Sequence, residues 1–149
     1  MAGRKSDGKG GGNSRKGFSP EERAAMKERV REMKAAATAA EGEAEVLAKI
    51  ATMARADRTL AGRVHAFIKA TAPNLTSRTW YGMPAYYKDG ELLCHFQESG
   101  KFGVRYSTIG FSDEAKLDDG RMWPIAFALT ELTATEQTRI AALLKRAMG

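Results

Sequence analysis

The chain has 149 residues, a net charge of +6 and a single Cys, room for one domain with a full core and little for two. A lone Cys excludes an intramolecular disulfide, the opening Met1-Ala2-Gly3-Arg4-Lys5 runs into glycine instead of a signal peptide's apolar region, and no stretch approaches the roughly twenty apolar residues of a membrane span. The expectation is a cytoplasmic monomer or weak dimer with no membrane partner.

The charge is uneven. Arg4, Lys5, Lys9, Arg15 and Lys16 against Asp7 put +4 in the first eighteen residues, with six of the fifteen glycines. With almost no apolar surface to offset its ordering entropy, 1–17 is expected to be a disordered basic tail. Nucleic acid is expected as a partner only through non-specific phosphate contacts of that tail, with Kd around 10⁻⁴ to 10⁻⁶ M, and a solubilising tail is the plainer reading.

Ser19-Pro20-Glu21-Glu22 has the spacing of a capping box with Pro at the first helical position. It opens a charged helical extension, assigned to 18–42, that runs to about Thr38 with only Met26, Val30 and Met33 as an apolar seam. After Gly42 a second helix is expected with Val46, Leu47, Ile50 and Met53 on one face, and a third, capped by Asp57, with Leu60, Val64, Phe67 and Ile68, ending before Pro73. Ten of the twelve aromatic residues lie between Trp80 and Phe127, and aromatic side chains fit a pleated surface. Asp89-Gly90 is a hairpin signal between strands at Pro84 to Tyr87 and Glu91 to Gln97. In the second of these, Leu92, Cys94 and Phe96 are expected inward and Leu93, His95 and Gln97 outward. A following strand would point Phe102, Val104 and Tyr106 inward. Ser112 to Leu117 reads as a short helical turn, and Met122 to Leu132 as an extended segment that Pro124 confines to an edge or strand start. Thr133 and Glu136 box a last helix that buries Ile140, Leu143, Leu144 and Ala147. The class is α+β, a curved antiparallel sheet packed by helices, with 43–149 as the domain.

Catalytic groups are sparse. Cys94 and His95 are neighbours in a strand and point to opposite faces, so His95 cannot activate the thiol. His65 reads as a helix-surface or partly buried structural residue, and two His with one Cys make no zinc set. Asp113, Glu114, Asp118 and Asp119 are the best hard-metal cluster, although Asp118-Asp119-Gly120 is also an ordinary turn. No cofactor is expected beyond a hard metal ion that this cluster could hold. An aromatic groove is the remaining candidate: Tyr81, Met83, Tyr86 and Tyr87 line a bent strand, with His95 and Arg105 projecting beside it, while Trp80 is expected to be core. Amphipathic rings with a few convergent polar groups are the usual form of a small-ligand or peptide site.

The order Ala72-Pro73, Trp80-Tyr81-Gly82-Met83-Pro84-Ala85-Tyr86, the Phe96 and Lys101 strands and Gly110-Phe111 resembles the YdhG-like family, a domain of unknown function of small bacterial proteins. Leu117 to Phe127 with Glu131-Leu132-Thr133 is similar to an actinobacterial-type branch of it. The resemblance covers about Glu45 to Met148 and implies an α+β fold with helices on a curved antiparallel sheet. Some members are described as frataxin-like iron chaperones, which hold iron on exposed carboxylates, so the resemblance also implies an iron-handling alternative. The family supplies no catalytic residues to carry over. The leading expectation is a non-enzymatic module that binds a small molecule or protein through the aromatic groove. Iron handling comes second and a non-specific nucleic-acid accessory role third.

Overall fold

Ser19 opens the first helix as its spacing requires. In the computed structural model, which describes residues 17–149, the Ser19 amide donates to Glu22 Oε1 at 2.8 Å and the Glu22 amide to Ser19 Oγ at 3.1 Å. The expectation for the basic tail falls, Gly17 apart, outside the described residues. Helix α1 (Pro20–Ala51) runs unbroken through Gly42, where two helices are expected. A Cβ at Gly42 would lie 2.2 Å from the Ser77 carbonyl oxygen. Glycine stands there because a strand backbone passes against the helix, and that packing outweighs the roughly 1 kcal/mol a mid-helix glycine costs. The described residues divide into two units at Thr38, within α1, the second being Ala39–Gly149.

In the second unit, Val46, Ile50 and Met53 are buried while Leu47 is exposed. Helix α2 (Arg55–Thr71) stops ahead of Pro73, which cannot continue it. Its N-cap is Ala54, with no side-chain cap. Asp57, the expected cap, instead accepts from Ser99 Oγ at 3.0 Å and the Gly100 amide at 2.9 Å, across the fold.

Strands β1 (Thr76–Trp80), β2 (Met83–Lys88), β3 (Glu91–Gln97), β4 (Ser107–Phe111) and β5 (Ala126–Leu129) form one antiparallel sheet in chain order, with β1 and β5 at its edges. One face, with Tyr86, Cys94, Phe96, Ile109, Phe111 and Leu129, packs on Val46, Ile50, Val64 and Ile68 of the helices and on Ile140, Leu144 and Ala147 of α4 (Ala134–Met148). Helix α4 begins with the expected box, the Thr133 amide donating to Glu136 Oε1 at 2.8 Å.

Two strand expectations are corrected. Leu93 is buried with Cys94, not outward, because Tyr86 pairs with Cys94 and Tyr87 with Leu92. Leu93 is the extra residue of a β-bulge, which resets the alternation. Phe102, Val104 and Tyr106 are exposed. The chain there forms a single helical turn, α3 (Ser99–Phe102), closed by Gly103 at φ 64°, the left-handed stop that glycine supplies, and β4 begins only at Ser107. The expected helical turn after Ser112 closes as one hydrogen-bonded turn, the Ala115 amide donating to the Ser112 carbonyl at 3.1 Å. Among the described residues, no helix is long and apolar enough to cross a membrane.

Candidate functional site at the Tyr81-Gly82 turn

Tyr81 and Gly82 join β1 to β2 at φ 51° and 75°, the two positive angles of a type I′ hairpin turn. Asp89 and Gly90 do the same between β2 and β3, at 50° and 83°. Asp tolerates that conformation, whereas for a bulky side chain it is an outlier, at a cost of order 1–3 kcal/mol. The strained Tyr81 side chain is 81% exposed. The expected bent strand is therefore a hairpin with a tyrosine displayed at its tip.

Strand alternation sorts the other rings. Trp80 pairs with Met83, Arg78 with Ala85, Ala85 with His95, and His95 with Gly110. Arg78, Trp80, Met83, Tyr87 and His95 thus share the face opposite the core. Trp80, expected in the core, is half-buried on this face and links the site. Its ring centroid is 4.9 Å from that of Tyr81, edge-on, and 5.0 Å from that of His95. The His95 ring lies against Gly110, where a Cβ would fall 2.6 Å from its Cε1, and burial lowers its pKa from the ordinary 6.5, which keeps the imidazole neutral at pH 7. Met83 and Tyr87 lie on this face but are buried, Tyr87 beneath the Arg78 guanidinium, 4.5 Å from the ring centroid. Arg105 sits in the connection between α3 and β4, its guanidinium 5.1 Å from the Tyr106 ring. Of the six expected ligand residues, Tyr81 and His95 come together through Trp80. Met83, Tyr86, Tyr87 and Arg105 do not join them at the surface.

Tyr86 faces the core and belongs to a polar chain no local pattern announces. Its hydroxyl meets His65 Nδ1 at 2.9 Å, His65 Nε2 meets Glu43 Oε2 at 2.8 Å, and Glu43 Oε1 accepts from Ser77 Oγ at 2.7 Å. The Glu43 carboxylate calls for the proton on Nε2, leaving Nδ1 to accept from Tyr86. Burial pushes the Tyr86 hydroxyl well above its ordinary range. With Tyr86 and His65 both sealed from solvent, this chain ties α1, α2, β1 and β2 together. Cys94 is equally shut in, its thiol pushed up to about 12 by burial, and lies on the other face from His95.

Charged residues complete the turn, and none of them has a sequence signal. A methyl group placed on Gly82 would lie 2.9 Å from Lys101 Nζ and 3.8 Å from Lys49 Nζ. Among the described residues neither ammonium has a salt bridge, although Lys101 Nζ also lies 5.4 Å from the Phe102 ring centroid. Glu98, 5% exposed, has a buried Oε1 without a hydrogen-bond partner. Burial raises its pKa above the ordinary 4.5 against the pull of Lys49 and Lys101, with Asp57 adding to the rise.

Asp113, Glu114, Asp118 and Asp119 are exposed, and among the described residues no three His, Cys, Asp or Glu side chains gather as a metal would need. A cavity of about 340 Å³ lies away from the turn, between β5 and α4, lined by Ile109, Phe127, Leu129, Ile140 and Leu143 with Arg139 and Glu136. Glu136 is held there by the helix cap, which leaves Arg139 as the charged side chain that faces the cavity.

No family model matches the chain, and neither curated proteins nor solved structures show a match.

Proposed function

We propose that this chain is a non-enzymatic binding module of the YdhG-like kind that receives a small ligand at the Tyr81-Gly82 turn. The observation that carries this reading is Tyr81, an aromatic side chain held at positive φ and 81% exposed, where Asn, Asp or Gly would make the same turn without strain. Local strain persists where the surroundings over-determine it, and it clusters at binding and switch sites. The Tyr81, Trp80 and His95 rings offer a planar ligand both faces and edges, and the neutral imidazole offers a donor or an acceptor.

The test is a two-dimensional NMR screen of small aromatic and heterocyclic compounds against the intact chain. Expected are shifts that saturate at the Trp80 indole, Tyr81, Gly82 and His95 and vanish in Tyr81→Asn. Shifts confined to Ile109, Phe127 and Leu143 would move the site to the β5 and α4 cavity and overturn the assignment.

A further inference from the structure

Glu98 occupies the N-cap position of α3, yet its side chain makes no capping hydrogen bond. Asp57 from α2 has taken that role, holding Ser99 Oγ and the Gly100 amide. A carboxyl group relieved of capping would ordinarily turn to water, since a buried acceptor without a partner costs the full desolvation of that group. Glu98 instead keeps Oε1 buried and, among the described residues, unpartnered. Glu98 follows β3, whose His95 pairs with Ala85 of β2, so it stands at the end of the sheet where Gly82 leads into β2. The charges of Lys49 and Lys101, which converge on Gly82, act on its carboxyl group together with that of Asp57. Two ammonium groups near one point, neither in a salt bridge among the described residues, repel each other, and an anion between them relieves that repulsion. An acceptor beside them, sealed from water, asks for a hydrogen-bond donor.

We infer that Lys49, Lys101 and Glu98 form an anion subsite at the Gly82 turn, whose ligand is a small organic anion, carboxylate or phosphate, carrying a hydroxyl or N–H next to its charged group. The lysines take the charge, and the Glu98 side chain turns so that its buried Oε1 meets the ligand and accepts from the neighbouring donor. Lysine suits this role as a compact point charge on a flexible stem, able to follow anions of different geometry. The subsite deepens the binding reading above by giving the ligand a charge, while the aromatic row beside it takes the remainder of the molecule.

The experiment titrates the full chain, by two-dimensional NMR at low ionic strength, with four probes: acetate, glycolate, inorganic phosphate and glycerol 3-phosphate. Expected are saturable shifts at Gly82 and at the Lys49 and Lys101 side chains, with glycolate bound more tightly than acetate. Lys49→Gln with Lys101→Gln should weaken binding at least tenfold while leaving the melting temperature within a few degrees. Glu98→Gln should abolish the preference for glycolate but leave acetate bound. Glycolate and glycerol 3-phosphate separate the carboxylate source from the phosphate source. Absence of saturation with every probe, shifts that survive in the double lysine variant, or a glycolate preference that survives Glu98→Gln would each overturn the inference. If the anions bind at the lysines while the aromatic screen finds nothing at Tyr81, the subsite stands and the stacking surface falls. Hits at Tyr81 with no anion response overturn the subsite and leave the stacking surface standing.

Discussion

Tyr81 and Tyr86 are five positions apart and have opposite fates, one displayed at a turn and one sealed in the core. Replacing Tyr81 by Asn relieves the positive φ, so Tyr81→Asn should hold or raise stability by about 0.5–1 kcal/mol, on the scale of single backbone-compatibility changes, and lose the ligand. Urea unfolding beside the NMR screen checks both halves, and a variant clearly less stable than the parent would show that Tyr81 packs for the fold. Tyr86→Phe keeps the ring and deletes the hydroxyl that meets His65 Nδ1. A buried acceptor left without a donor costs about 1–3 kcal/mol, so this variant should unfold at lower denaturant with an unchanged slope. Stability equal to the parent would mean that water replaces the hydroxyl there.

At the scale of elements, Gly42 and Glu43 are consecutive residues of α1 that fix its approach to β1. In an isolated helix Gly42→Ala would stabilise by about 1 kcal/mol. Here the added methyl meets the Ser77 carbonyl at 2.2 Å, and overpacking of this kind typically costs 1–3 kcal/mol, so a net loss is expected in thermal unfolding. Glu43 carries the acid side of stability. Burial by itself would raise its pKa, but hydrogen bonds from His65 and Ser77 and the charge of Lys69 bring it below the ordinary 4.5. A depressed carboxylate contributes stability that is complete above its unfolded pKa and lost as pH falls through the folded one. Glu43→Gln should therefore flatten the fall in stability below about pH 4.5, which a pH series of denaturant midpoints would show. Glu98 works in the opposite sense. Its raised pKa means that stability is lost as pH rises from 4.5 through the folded value, so Glu98→Gln should gain stability at neutral pH and nothing well below 4.5.

Taken whole, the second unit buries one face of a five-stranded meander under helices from both ends of the chain and carries on the other a layer of Trp80, His95, Tyr87 and Arg78. Iron handling would be a property of its acidic surface. If Asp113, Glu114, Asp118 and Asp119 hold Fe²⁺, the ion takes oxygen ligands and Asp118→Asn with Asp119→Asn removes it. Weak or no stoichiometric binding is the expected calorimetric result. Micromolar affinity that disappears in the double variant would put iron ahead of the organic anion.

Local chemistry alone determined the two capping boxes, the stop before Pro73, the Asp89-Gly90 hairpin, the inward Cys94 and Phe96 and the α+β class, because each depends on residues within a few positions of one another. The same local signals misread Gly42 as a break, Phe102 to Tyr106 as a strand and Trp80 as core. In each of these a distant partner decided: the Ser77 carbonyl against Gly42, the Asp57 carboxylate holding the start of α3, and His95 receiving the Trp80 ring. Of the candidate site, Tyr81 and His95 were legible as polar-tipped rings in the strand region. Lys49, Lys101 and Glu98 were not, since they come from α1, from α3 and from the residue that follows β3. A lysine in a helix pattern reads the same whether it faces solvent or a second lysine across the fold, and only the tertiary structure brings the two ammonium groups to one glycine.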